Sequence, residues 1–396
     1  MDSSPRPIGL SRKDFLKAVA AVSLGSVLAA CGGAASGGSV GPSGSGAGSA
    51  QAGPQGWDDI VKAARAEGSV NVYGGQGEEK RLALIDPFQK AYPGIKISGT
   101  FAPGRDLTVR IASERQAGKN IADVLMGPGA SAIFPLKPIG ALAPLAPALM
   151  LPEVTDTSLW LNNHLGWLDA SEPYTTLAFV ANVQSQVAYN TKMVDPKEIT
   201  SYKDLLNPKW KGKIVSTDVR KAGAGAVGTR FIYKNPALGP DYLQHLFADM
   251  QPTLSNDNRQ MTDWIAQGRY PIGLFQNPPD VLRTIEEGLP VAMLPGELKE
   301  GGTVGPSAGT VSIVDKAPHP NAAKVFVNWL LSKDGQLAWQ KYVKDNSART
   351  DISKDGVPSL FLPRPNFTYT NAATEDYAKL SDTVIPELIT KAVGSN

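Results

Sequence analysis

Four strand-to-helix turns carry residue types that can grip a small ligand. Gly75 and Gln76 lie in the turn Gly74 to Gly77. Gly127, Gly129 and Ser131 lie in the next such turn. Asp218, Arg220, Ala224 and Gly225 span a third, and Gln276 and Asn277 directly follow Phe275. Glycine lets a backbone come close to a ligand. A helix N-terminus offers N–H groups and a partial positive charge. Such turns suit an anion, with Arg220 and Lys221 as its counter-charges. The same residues would serve equally as plain loops and solvated surface. Catalysis has no comparable foothold: the chain carries no HExxH metal motif, no G-x-S-x-G nucleophile elbow and no Walker loop. His164, His245 and His319 stand apart from one another, and Cys31 is the one cysteine, so no internal disulfide forms.

The elements that must position these turns follow an α/β rhythm. Trp57, Ile60, Val61 and Ala64 recur at helical spacing and stop at Gly68. Val70 to Tyr73 reads as a buried strand, Glu78 to Tyr92 as a helix and Ile95 to Phe101 as a strand. Leu107 to Ala117 reads as a helix and Ala122 to Met126 as a strand. This alternation predicts a parallel sheet with helices on its faces. The rhythm returns later: Lys213 to Ser216 and Pro271 to Phe275 read as strands. Gly223 to Tyr233, Tyr242 to Met250, Met261 to Gln267 and Pro279 to Glu287 read as helices. Two β-rich runs, Thr176 to Tyr189 and Ala308 to Val314, connect the zones, and Asn321 to Lys344 reads as one long amphipathic helical region. Two lobes joined by two crossings follow, with two candidate turns in each, facing one another across a cleft. In open α/β sheets ligands sit beyond the carboxyl ends of strands, which is where these turns fall.

Composition agrees with a folded, non-nucleic-acid-binding body. Apolar residues make up 42% and charged residues 19%, ordinary for a globular protein. The formal charge is +2, and the first thirty residues carry that surplus through Arg6, Arg12, Lys13 and Lys17 against Asp2 and Asp14. The remainder is neutral and has no electrostatic case for nucleic acid. Residues 1–30 read as a signal peptide, because the apolar run from Leu16 to Ala30 is shorter than the ~20 residues that span a bilayer. Residues 31–56 are Gly-, Ser- and Ala-rich after Cys31 and read as a flexible tether with a reach of roughly 25–30 Å. No later segment is long and apolar enough for a transmembrane helix.

Leu28-Ala29-Ala30-Cys31 resembles the lipobox of bacterial lipoproteins, which implies acylation of Cys31. Ser11 to Lys17 resembles a twin-arginine signal with Lys13 in place of the second arginine, so both general and twin-arginine export stay open. Further phrases resemble one family over residues 57–352: Val187-Ala188-Tyr189-Asn190, Ile199 to Leu206, and Pro208-Lys209-Trp210-Lys211-Gly212-Lys213-Ile214. Gln267 to Leu274, His319 to Phe326, Trp329 to Ser332 and Gly335-Gln336 complete the set. Together they resemble the extracellular solute-binding proteins of ABC importers, in the branch that includes ferric-ion binders. The resemblance implies a type II periplasmic-binding fold closing on a ligand. It assigns residues 57–180 to lobe one, 181–305 to lobe two and 306–396, with the C-terminal helices, back to lobe one. Trp167 resembles a cleft-edge position in relatives, or is a core tryptophan.

The resemblance further implies capture of a small solute and delivery to a permease and ATPase complex, by a monomer needing no cofactor and no metal. The protein would be exported and lipid-anchored, on the outer face of the cytoplasmic membrane or in the periplasm. Ferric-binding relatives place two adjacent tyrosines where this chain has Gln276-Asn277-Pro278-Pro279. Proline cannot ligate a metal, so the expected ligand is an organic anion: a phosphonate, a sugar phosphate or a carboxylate. Fe(III) or an iron chelate is the alternative, and a ligand-sensing subunit of a sensor kinase is the alternative from another class. An enzyme is not expected.

Overall fold

The structure, a computed structural model, describes residues 56–221, 225–381 and 383–394. The expected signal peptide, Cys31, the tether up to residue 55 and Ala224 lie outside the described residues. In the compact unit from Pro54 onward, the chain begins with α1 (Trp57–Glu67), β1 (Ser69–Gly75), α2 (Glu78–Ala91), β2 (Lys96–Ala102) and α3 (Gly104–Gln116). It continues through β3 (Val124–Met126), α4 (Ala130–Leu136), α5 (Pro152–Thr155), β4 (Gly166–Trp167), β5 (Leu177–Ala178) and β6 (Asn182–Val183). The second zone holds β7 (Val187–Asn190), β8 (Ile214–Thr217), α6 (Ala226–Lys234), α7 (Gly239–Ala248), β9 (Thr253–Ser255), α8 (Asn258–Ala266), β10 (Ile272–Leu274), α9 (Pro278–Glu286) and β11 (Val291–Met293). The return runs through β12 (Gly302–Gly305), β13 (Thr310–Ile313), α10 (Pro320–Leu331), α11 (Lys333–Val343), β14 (Tyr369–Asn371), α12 (Glu375–Ala378) and α13 (Val384–Val393).

Two main sheets result. Lobe one has the order β2-β1-β3-β13-β5-β4 and lobe two the order β11-β7-β10-β8-β9. Both are mixed rather than parallel. β1 pairs in parallel with β2 and β3, whereas β13, returning from the other lobe, enters antiparallel between β3 and β5. In lobe two β10 is parallel to β8 but antiparallel to β7, the strand that has just crossed over. A strand arriving from the opposite lobe runs against those built locally, so each crossing leaves an antiparallel pair.

The crossings meet in a third sheet, β14-β12-β6, where Val183 pairs with Val304 and Asn182 with Gly305. The second crossing is therefore β12, upstream of the expected Ala308 to Val314 stretch, whose strand β13 belongs to the lobe-one sheet. The expected single helix over Asn321 to Lys344 is broken at Ser332, whose hydroxyl caps α11 by accepting from the Gly335 N–H. A side chain at Gly335 would meet the Trp329 carbonyl at 2.0 Å, so the corner admits glycine.

Each lobe has its own core. In lobe one Phe88 makes edge contacts with Phe326 and Trp329 at 5.3 Å, beneath α1, α2 and α10. In lobe two Tyr202, Phe231, Tyr242 and Phe247 pack with Ile385 and Ile389. The last two residues lie on α13, which packs against α7. The assignment of all of 306–396 to lobe one is thus corrected: α10 and α11 pack there, but the C-terminal helix closes the second core. Its apolar stripe repeats at helical spacing, and a stripe alone does not say which core it covers.

Candidate functional site

A cleft of about 760 Å³ opens where the two lobes and their crossings meet. This lies within the range of small-molecule sites, roughly 300–1,000 Å³. Its lobe-one wall is the β3–α4 turn, Gly127 to Ser131. Gly129 sits at φ 58°, ψ −142°, a region open essentially to glycine. The turn is held from behind: the Gly127 and Gly129 N–H groups both donate to Thr310 Oγ1, at 3.3 and 3.1 Å, and the Ser131 hydroxyl donates to the Pro128 carbonyl at 2.5 Å. Those N–H groups hold β13 in place, and α4 is a short helix.

The lobe-two wall is built from α6 and α9. Gly225 caps α6 at φ 85°, where a side chain would meet Phe275 Cβ at 2.6 Å. No side chain caps this helix, and its first turn, Ala226 to Gly228, lines the cleft. Lys221, Arg230 and Arg283 line the same wall, with Glu286 beyond them. Arg230 Nε donates to Ser381 Oγ at 2.6 Å, and Arg283 pairs with Asp280. Pro278 and Pro279 occupy the first positions of α9, so that helix start lacks two N–H donors. Phe275, directly after β10, is held at φ 57°, an unusual conformation for a bulky residue and one that clusters at functional sites.

The floor comes from the crossings: Asn182, Gln184 and Gln186 from the first, Gly305 to Ser307 from the second, and Lys344 and Asp345 behind them. Asp345 is 5% exposed; Asn182 Nδ2 donates to it at 2.7 Å and Trp339 Nε1 at 3.3 Å. Burial raises its carboxyl above the usual carboxylate range.

Of the residues singled out in the sequence, Gly127, Gly129, Ser131, Gly225, Gln276 and Asn277 line this one cleft. Gln276 is buried, its amide shared between Thr262 and the Leu274 carbonyl, and Asn277 Nδ2 donates to Asp280 at 2.7 Å. Gly75, Gln76, Trp167, Asp218 and Arg220 are not among its lining residues. Gly75 backs the Gly127 turn, and Gln76 is exposed, its carbonyl accepting from Lys80 at 3.0 Å. Trp167 stacks on Tyr174 at 5.3 Å. Arg220 grips Asp218 through two bonds, at 2.7 and 3.0 Å, and this grip holds the Asp218 carboxyl below its usual range. Sequence reasoning missed Arg230, Arg283, Lys344 and Asp345. The two arginines had a usable signal, since each lies on a helix launched by a candidate turn; Asp345 had none.

The fold is that of a two-lobed binding protein with a cleft between the lobes. Residues 74–337 match the family of bacterial extracellular solute-binding proteins, and the chain belongs to that family, with the type II periplasmic-binding fold used by ABC importers. Such a protein is the substrate-binding component of a transport system. Among solved structures, iron-bound HitA from Pseudomonas aeruginosa superimposes with a TM-score of 0.60 at 20% identity, covering 82% of this chain and 99% of that one. The periplasmic binding protein AfuA from Actinobacillus pleuropneumoniae, with fructose-6-phosphate bound, gives 0.57 at 20% identity over 82% and 97%. The substrate-binding protein of an ABC transporter from Agrobacterium tumefaciens gives 0.57 at 15% identity over 84% and 97%. At these identities the likeness is one of fold.

Proposed function

We propose that the protein captures a small anionic organic solute, a phosphonate, sugar phosphate or carboxylate, between its lobes and hands it to an ABC permease. The observation that carries this reading is the charge of the cleft: Lys221, Arg230 and Arg283 line one wall of it, against Glu286 and Asp345. In a partly dry cleft, charge-assisted hydrogen bonds are the strong ones. The donor set argues against direct ligation of Fe(III). Among the described lining residues there is no tyrosine and no histidine, and the two carboxylates come from different lobes. AfuA carries a sugar phosphate and HitA carries iron; the cationic wall favours the first kind of cargo.

Ligand contacts with both walls would favour the closed arrangement of the lobes, which the permease would then recognise. The protein acts as a monomer, exported and held at the membrane by a lipid on Cys31. Thermal unfolding of residues 54–396 against phosphonates, sugar phosphates, carboxylates and ferric citrate tests the reading. A ligand at about 100 times its Kd adds about 2.7 kcal/mol, enough to move the midpoint by a few degrees. Upward shifts with anions support it, and a shift with ferric ion alone rejects it.

A further inference from the structure

The cleft is dipolar. Its lobe-two wall holds Lys221, Arg230 and Arg283, whereas its floor holds a carboxylate that is met by neutral donors. Asp345 accepts from Asn182 Nδ2 through one oxygen and from Trp339 Nε1 through the other. Among the described residues no lysine or arginine forms an ion pair with it. Its neighbour Lys344 extends its ammonium toward Gly356 instead, and Lys80 acts on it only through space. A buried carboxylate without a contacting cation is costly, and a donor from a ligand would relieve that cost. The carboxylate is also fixed in position. Asn182 lies on β6 and Trp339 on α11, so the first crossing and a lobe-one helix hold it at the point where the lobes join.

Resting on the anionic reading above, we infer that Asp345 selects among anions. It takes solutes whose far end carries hydroxyl or ammonium donors, and it rejects those with a second carboxylate there. The anionic end lies on the lobe-two cations and the donor end on the floor. Sugar phosphates and amino-bearing phosphates or phosphonates fit this arrangement, whereas di- and tricarboxylates, including citrate, do not.

Three probes that share a phosphate and differ at one end isolate the effect: phosphoethanolamine (ammonium), propyl phosphate (methyl) and phosphoglycolate (carboxylate). Calorimetric titration of the full chain is expected to rank them in that order, with steps of about tenfold, each equal to about 1.4 kcal/mol. In Asp345→Asn the spread contracts to within about threefold, because the neutral amide both donates and accepts. Glu286→Gln, which removes the other carboxylate lining the cleft, leaves the spread intact. It also decides the matter if Asp345→Asn does not fold. A carboxylate tail that binds as tightly as the ammonium tail overturns the selection. So does a spread that persists in folded Asp345→Asn or collapses in Glu286→Gln. If none of the three probes binds, the anionic reading falls and this inference with it; equal binding of all three sinks the inference alone.

Discussion

The two walls of the cleft are made from the same device, a glycine turn between a strand and a helix, and use it differently. In lobe one the turn at Gly127 to Ser131 spends its N–H groups on Thr310, launches a short helix and brings no charge. In lobe two Gly225 launches a longer helix without a side-chain cap, with Lys221 before it, Arg230 on it and Arg283 on α9 beside the same wall. The first wall supplies shape and the second supplies charge. A ligand would then be held electrostatically by lobe two and fitted by lobe one when the lobes approach.

The largest effect should come from stripping the charged wall. Lys221→Ala with Arg283→Ala is expected to weaken binding of the best anion in the thermal panel by about 100-fold, on the basis of ~1.5 kcal/mol for each charge-assisted contact. Ser131→Ala on the opposite wall should change affinity by less than about threefold, since its hydroxyl serves the Pro128 carbonyl. Equal losses on the two walls would break the contrast. Gly225→Ala comes next. A left-handed backbone costs a non-glycine residue about 1–2 kcal/mol, and the new methyl would press on Phe275. A midpoint lowered by a few degrees and an affinity loss of about tenfold are expected, measured by melting and titration. A variant as stable and as tight as the parent would mean that α6 is not set by this corner. Arg220→Ala should leave affinity within about twofold, because its guanidinium is committed to Asp218; a large loss would return Arg220 to the site.

The contrast also marks what the sequence could disclose. The helical stripe of Trp57, Ile60, Val61 and Ala64 does bury Ile60, Val61 and Ala64. The strand-to-helix glycines were legible because a backbone corner leaves a residue-type signature. Side-chain charge on the walls was legible only in part: Arg230 and Arg283 each lie on a helix launched by a candidate turn, but which helix face meets the cleft shows only once two lobes face each other. β6 has two residues, and β12 runs between glycines at both ends. Neither is long enough to show an alternating period, so the second crossing was placed too late. Asp345 is invisible for a related reason. Its environment comes from nearby Trp339 and from Asn182, which the fold brings in from the first crossing. Arg220, next to a candidate turn, resembled a ligand contact, but a carboxylate two residues away already satisfied it.

The smallest effect separates the walls from the frame behind them. Lys354 donates to the carbonyls of Ser347 and Arg349, both at 2.7 Å, in the segment after α11, and burial pushes its ammonium down to about 8, with Asp351 nearby opposing the shift. The unfolded chain keeps an ordinary lysine value near 10.5. Between these values the unfolded state binds more protons than the folded one, so stability rises as pH increases from about 7 to 9.5. Urea unfolding should show a higher midpoint at the upper pH, and Lys354→Met should flatten the dependence. Lys354 lies outside the cleft lining, so ligand affinity should stay level over the same interval. An affinity that climbs in step with stability would mean that the frame behind lobe one takes part in the grip, and the division between a shaping wall and a charged wall would have to be redrawn.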